Sequence, residues 1–186
     1  MTILSVYADH DGTRARLTTS DPEQISATLA ASGIDFERWS TEVPVSSRNA
    51  AEVLAAYQPR IDELKQRCGY ATADVISLEP GHADPVALRQ KFLEEHTHAE
   101  DEVRFFVAGR GGFYLHVGAL VLAIVCEGGD MLRVPANTRH WFDTGPQPDL
   151  VAIRLFTNPA GWVARYTDDP IAQRFPRMEP GGLPHV

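Results

Sequence analysis

KFLEEHTHAEDEVRFFVAG, residues 91–109, carries His96, His98 and Glu102 within seven residues, on a stretch otherwise rich in strand-forming side chains. His140 follows inside VPANTRHWFD, residues 134–143. Residues two apart in a β-strand point to the same face. Phe92, Glu94, His96 and His98 are therefore expected to share one face, as are Glu102, Arg104 and Phe106, and likewise His140 and Phe142. If those faces turn into a barrel, His96, His98, Glu102 and His140 converge, and Arg104, Phe92 and Phe142 line the same cavity. Imidazole with carboxylate suits a borderline divalent metal such as Fe, Ni, Mn, Co or Zn. Left without a metal, three such ligands in a barrel interior would be costly to bury.

The neighbouring acids separate by position. Glu100 and Asp101 fall in the short turn between two strand-like runs, where solvated acids are common, whereas Glu102 begins a strand and is the expected ligand. His116, a lone histidine in a strand, is expected to be a hydrogen-bonded structural residue, and His10, His82 and His185 to be solvated. Arg104 either pairs with Glu102 or another acid, or holds a planar anionic substrate. For Arg154, in LVAIRLF, a structural ion pair stands level with substrate contact.

Outward from this stretch, strand-like runs cover 91–98, 102–108, 112–117, 120–127, 131–134, 139–144 and 150–156. Gly109, Gly111-Gly112, Gly118 and Gly128-Gly129 fall where tight turns are expected. Short strands at this spacing predict an antiparallel barrel or sandwich. Upstream, Ser20-Asp21-Pro22 caps a helix bearing Ile25 and Leu29 and ending at Gly33. A second helix is expected over 48–67, with Val53, Tyr57, Ile61 and Leu64 on one stripe and Pro59 kinking or interrupting it. A third begins at Asp84-Pro85. The tail FPRMEPGGLPHV (175–186) is expected to be loosely ordered. The resulting expectation is one domain over 1–186, mainly β with peripheral helices (α+β). In it a helix-rich part, 1–90, packs on a β-barrel core, 91–158, that carries the site.

Composition narrows the function. A chain of 186 residues buries roughly 70% of the surface its unfolded form exposes, so the core needs no disulfide or structural metal. The net charge of −8 without a basic cluster speaks against nucleic acid and anionic membranes. The longest apolar run, 119–126, is far short of the ~20 residues that span a bilayer. Asp9, Asp11 and Arg14 stand where an export signal would need an apolar core. Cys68 and Cys126 share no CxxC spacing, and reduced thiols in a cytoplasmic protein are expected.

These residues resemble the cupin superfamily. Its first motif, H-x-H, three or four residues, Glu, six residues and Gly, is matched by His96, His98, Glu102 and Gly109. Its second, Gly, five residues, Pro-x-Gly, two residues and His, is matched by Gly129, Pro135 and His140. Gln90, Asn137 and Thr144 depart from it, standing where Gly, Gly and Asn are usual. Asn tolerates the left-handed conformation that a turn needs at 137. Within cupins, FERW (36–39), DVISL (74–78), residues 91–107, VPANTRHWFD, AIRLF (152–156) and NPAGWVA (158–164) resemble the acireductone dioxygenase family.

The resemblance implies a cupin-type antiparallel barrel, or jelly roll, holding one Fe(II) or Ni(II) on His96, His98, Glu102 and His140, with no organic cofactor. It implies an acireductone enediolate and O2 as substrates, with Arg104 stabilising the negative charge. Phe92, Phe142 and Trp162, with Arg154, would shape the pocket. A monomer is expected from the acidic balance and the lack of a long exposed apolar pattern. Two other readings keep parts of this picture: another metal-dependent cupin dioxygenase or oxidase, and a non-catalytic cupin binding module.

Overall fold

The structure, a computed structural model, describes residues 1–39, 48–81, 84–158, 163–180 and 182–183. Trp162, His82 and His185 lie outside the described residues. The elements run β1 (Ile3–Ala8), β2 (Leu17–Thr19), α1 (Pro22–Ala31), β3 (Asp35–Arg38), α2 (Ala50–Cys68), β4 (Thr72–Leu78) and α3 (Pro85–Gln90). They continue with β5 (His96–Thr97), β6 (Glu102–Val117), β7 (Leu120–Glu127), β8 (Asp130–Val134), β9 (Arg139–Asp143), β10 (Leu150–Phe156) and β11 (Arg165–Tyr166). A 3₁₀ turn over Pro170–Arg174 follows.

Among the described residues all strand pairings are antiparallel, and β6 belongs to two sheets. Its first half pairs with β8 and β10, and β3 and β4 extend that sheet. Its second half pairs with β7 and β9, and β1, β2, β5 and β11 extend the other. The sheets face one another across a core that includes Leu4, Phe106, Phe113, Leu115, Leu122, Leu132, Phe142 and Ala152, with Ile25 and Leu29 of α1 joining it. Their outer faces are covered too. Val53, Tyr57, Ile61 and Leu64 of α2 pack on Val103, Phe105, Ile153 and Leu155. Phe175, Met178 and Leu183 pack on Tyr7, Tyr114, Val125 and Trp141.

This cupin-type architecture agrees with the expected fold class and corrects several local expectations. Residues 102–108 and 112–117 are one strand, not two joined by a turn. Gly109, at φ +72°, lets the strand change sheets without chain reversal. A register shift between Val151 and Ala152 on the facing strand accommodates the bend. Residues 91–95 are turn, not strand, because the capped helix α3 runs to Gln90 and its last carbonyls accept from Lys91, Phe92 and Leu93. Among the described residues, 1–90 contribute β1, β2, β3 and β4 to the sheets besides their helices. Helix α2 runs unbroken through Pro59, an exposed position where a carbonyl lacking its partner can turn to water. The described part of the tail is packed, because Phe175, Met178 and Leu183 bury against a sheet.

Candidate metal centre

His96 stands on β5, Glu102 opens β6 and His140 lies on β9, while His98 follows β5 at the start of the link to β6. Register aligns His96 with His140 across β5–β9. One ring nitrogen from each of His96, His98 and His140 lies within 4.8 Å of the others, and all three residues are buried. Glu102 faces the same point, with Oε2 2.9 Å from His140 Nε2 and 3.7 Å from His98 Nε2.

Backbone carbonyls orient two of the rings. His96 Nδ1 lies 2.7 Å from the Glu94 carbonyl and His140 Nδ1 2.8 Å from that of Thr138. A carbonyl only accepts, so each Nδ1 carries a proton and Nε2 is the nitrogen that presents the lone pair in the neutral ring. Burial, reinforced by the nearby His140, pushes His96 down to about 4. Burial also lowers His98, against the pull of Glu102. Burial works to raise the Glu102 carboxyl, but Arg104 and His140 beside it outweigh this and hold it below the usual carboxylate range. At neutral pH His96 and His98 are therefore neutral and offer lone pairs beside the negative charge of Glu102.

His140 Nε2 also lies close to Glu102 without the alignment of a hydrogen bond, so among the described residues this buried nitrogen has no hydrogen-bond partner. An orphaned lone pair among two more imidazoles and a carboxylate fits a borderline divalent cation. The turn that delivers His98 depends on Asn137, whose N–H donates to the His98 carbonyl at 2.8 Å. Asn137 is left-handed at φ +63°, the conformation anticipated where the motif usually has glycine.

The cluster opens into a cavity of about 480 Å³. Arg104 is buried in its wall, with Nη2 2.6 Å from Glu102 Oε1 and the guanidinium 4.5 Å from the centre of the Phe142 ring. Arg154 sits opposite Arg104 in the β6–β10 register and makes two hydrogen bonds to Asp74, at 2.8 and 2.6 Å. It therefore both lines the cavity and forms a structural ion pair. Phe92 and Phe142 meet edge to face at 6.4 Å. Phe92 reaches this wall from the turn after α3 rather than by strand parity, and its carbonyl accepts from Phe142 N–H at 2.9 Å.

Asp101 serves structure instead, accepting from Arg133 at 2.7 Å and from the Ala136 amide at 2.9 Å, and Glu100 bonds Thr157. His116 is buried and hydrogen-bonded to Glu95, and His10 is exposed. Sequence reasoning missed Ile76, Lys91 and Tyr166 as lining residues. For Ile76, the apolar alternation in DVISL was the available signal. Tyr166 stands 48% exposed at the mouth, on a two-residue strand that no pattern announces.

Among known proteins, the profile of the ARD/ARD′ family matches residues 4–164. The acireductone dioxygenase of Stutzerimonas stutzeri is 51% identical over 180 residues, covering 96% of this chain and 99% of that protein. That of Marinobacter nauticus is 49% identical over 179 residues, covering 96% and 97%. Among solved structures, an acireductone dioxygenase from Bacillus anthracis with a cadmium ion in its active centre superposes with a TM-score of 0.78. It shares 30% identity and covers 89% of this chain and 98% of that one.

Proposed function

The chain belongs to the ARD/ARD′ family and is an acireductone dioxygenase, and on that premise we propose that His96, His98, Glu102 and His140 hold one Fe(II) or Ni(II) ion beside an enediolate bound at Arg104. The observation that carries this reading is the division of labour at Glu102. One carboxylate oxygen is engaged by Arg104 and the other faces His140 and His98.

When bound, the ion supplies a Lewis-acidic anchor that keeps the substrate deprotonated and in one orientation, so dioxygen can react without an organic cofactor. The protein does the rest. Arg104, always a cation and buried beside the cluster, stabilises the negative charge of the enediolate. Its contact with Glu102 holds that carboxylate in place. Phe92 and Phe142 form an apolar wall that excludes water and shelters the methylthio end of 1,2-dihydroxy-3-keto-5-(methylthio)pentene. Arg154, with its charge compensated by Asp74, borders the pocket and adds a second, weaker attraction for an anion. Trp162 is assigned to the pocket on family resemblance alone.

The reaction belongs to methionine salvage. The Fe(II) form is expected to yield 4-methylthio-2-oxobutanoate and formate, and the Ni(II) form 3-methylthiopropanoate, formate and CO. The whole chain, 1–186, is read as one cupin unit that works as a cytoplasmic monomer on small molecules. In support, the sequence carries a net charge of −8 without a run of basic residues, and no helix among the described residues is long and apolar enough to cross a membrane.

The test is to prepare the Fe(II) and Ni(II) forms separately, supply enzymatically generated acireductone and oxygen, and quantify keto acid, formate and CO. No consumption above the spontaneous rate with either metal would sink this reading.

A further inference from the structure

The strand that carries His96 is only two residues long and meets β9 through a single registered pair, His96 with His140. So short a ladder does not by itself fix the distance between two ligands. The reverse side of the same sheet does carry a chain of hydrogen bonds. Glu95, next to His96, is 2% exposed and turns to the face opposite the cluster. One of its oxygens lies 2.5 Å from His116 Nδ1, and the other accepts from Thr167 Oγ1 at 2.7 Å. The Glu95 carbonyl accepts from the Thr167 amide at 3.1 Å, beside Tyr166, which pairs with His96.

His116 extends the chain. Its Nε2 lies 3.2 Å from Arg139 Nη2 and 3.9 Å from Asp9 Oδ2. A guanidinium only donates, so Nε2 accepts and Nδ1 holds the proton that Glu95 receives. Arg139 immediately precedes His140 and is the registered partner of His116 across β6–β9. The residues before His96 and before His140 are thus joined through His116, behind the sheet whose front face presents both ligands.

From this geometry we infer that Glu95 and His116 are positioning residues that set the spacing of His96 and His140 and so tune metal affinity. The inference rests on the four-ligand reading given above. Supporting groups behind metal ligands commonly change affinity 10- to 100-fold when removed.

The test measures Co(II) affinity by chelator competition and the visible spectrum of the Co(II) protein, after circular dichroism of each metal-free variant. Glu95→Ala is expected to bind Co(II) about tenfold more weakly, with a shifted spectrum and wild-type circular dichroism. Glu95→Gln keeps an acceptor for His116 and a hydrogen-bonding group for Thr167, and is expected to restore both readouts. Unchanged affinity and spectrum in Glu95→Ala would overturn the inference, as would a Gln variant as impaired as the Ala one. Should Glu95→Ala not fold, Thr167→Val removes a single hydroxyl at nearly constant shape. Weakened Co(II) binding then supports the clamp, and undiminished binding overturns it. His140→Ala separates the two readings. If it binds Co(II) as tightly as wild type, the ligand assignment fails and the clamp with it, whereas its loss of binding beside an unaffected Glu95→Ala removes the clamp alone.

Discussion

At Glu102 a single carboxylate meets a guanidinium on one oxygen and two imidazoles on the other. Arg104 can therefore act in two ways, holding Glu102 or meeting the substrate, and one variant separates them. Arg104→Ala should retain stoichiometric metal, because a divalent cation itself compensates Glu102, while kcat/KM falls about 100-fold for want of charge stabilisation. Metal analysis alongside steady-state kinetics decides, and loss of metal together with turnover would make Arg104 a support for Glu102 only. Asn137 shows the same economy in the backbone. Its left-handed φ of +63° places the amide that holds the His98 carbonyl. Asn137→Val should cost about 1–2 kcal/mol, a fall in Tm of about 3–6 °C, whereas Asn137→Gly should melt near wild type. The four proposed ligands, Arg104 and this turn are all marked in the sequence by residue types at fixed spacings. Glu95 is not, because its partners lie 21 and 72 positions away and nothing local marks it.

Among the elements, β6 does most to place the site, because it starts at Glu102 in one sheet and ends at Val117 in the other. Gly109 is the pivot. A Cβ there would come within 1.9 Å of the Asp149 carbonyl oxygen, and φ is +72°. Gly109→Ala should therefore lose about 2–4 kcal/mol through strain and a damaged β6–β10 pairing, lowering Tm by about 5–10 °C. A melting curve within 1–2 °C of wild type would show that the strand bends without it. Local composition explains what could be read at this scale. The caps Asp21 and Asp84 and the stripe Val53, Tyr57, Ile61, Leu64 announce helices because their signals are contained within a few turns. A glycine in a strand announces either a reversal or a bend, and only the partner strand decides between them. The run before His96 misleads for a related reason. Its apolar residues suit a strand, but α3 extends its hydrogen bonding as far as Leu93.

Across the whole molecule, the two sheets are covered on both faces, and the covers come from segments more than 100 positions apart, α2 ending at Cys68 and the other cover including Phe175. Helix α2 lies on one outer face, and Phe175, Met178 and Leu183 lie on the other. Pairings such as β1 with β7 and β4 with β10 join residues some 70 to 120 positions apart. Period and turn signals do not encode such distances, so the N-terminal strands were not legible as barrel members. The proline and glycine content of 175–186 suggests loose order, but Phe175, Met178 and Leu183 bury against one surface. Met178 N–H donates to Asp143 at 2.9 Å, the Met178 carbonyl accepts from Arg89 at 2.7 Å, and Tyr114 donates to the Pro176 carbonyl at 2.6 Å. Asp143 adjoins Phe142, and Arg89 leads to Phe92, so this strap braces the two aromatic residues of the cavity wall from behind. Ending the chain at Arg174 removes Phe175, Met178 and Leu183, at about 1.5–3 kcal/mol per buried side chain. That loss of about 5 kcal/mol or more approaches the whole stability of a typical domain. The truncated protein should lose its cooperative thermal transition and expose the Trp141 face to a hydrophobic dye. If it instead melts cooperatively within a few degrees of the full chain, the outer face of that sheet does not depend on the tail, and the bracing of Phe92 and Phe142 must come from the Arg89–Asp143 pair alone.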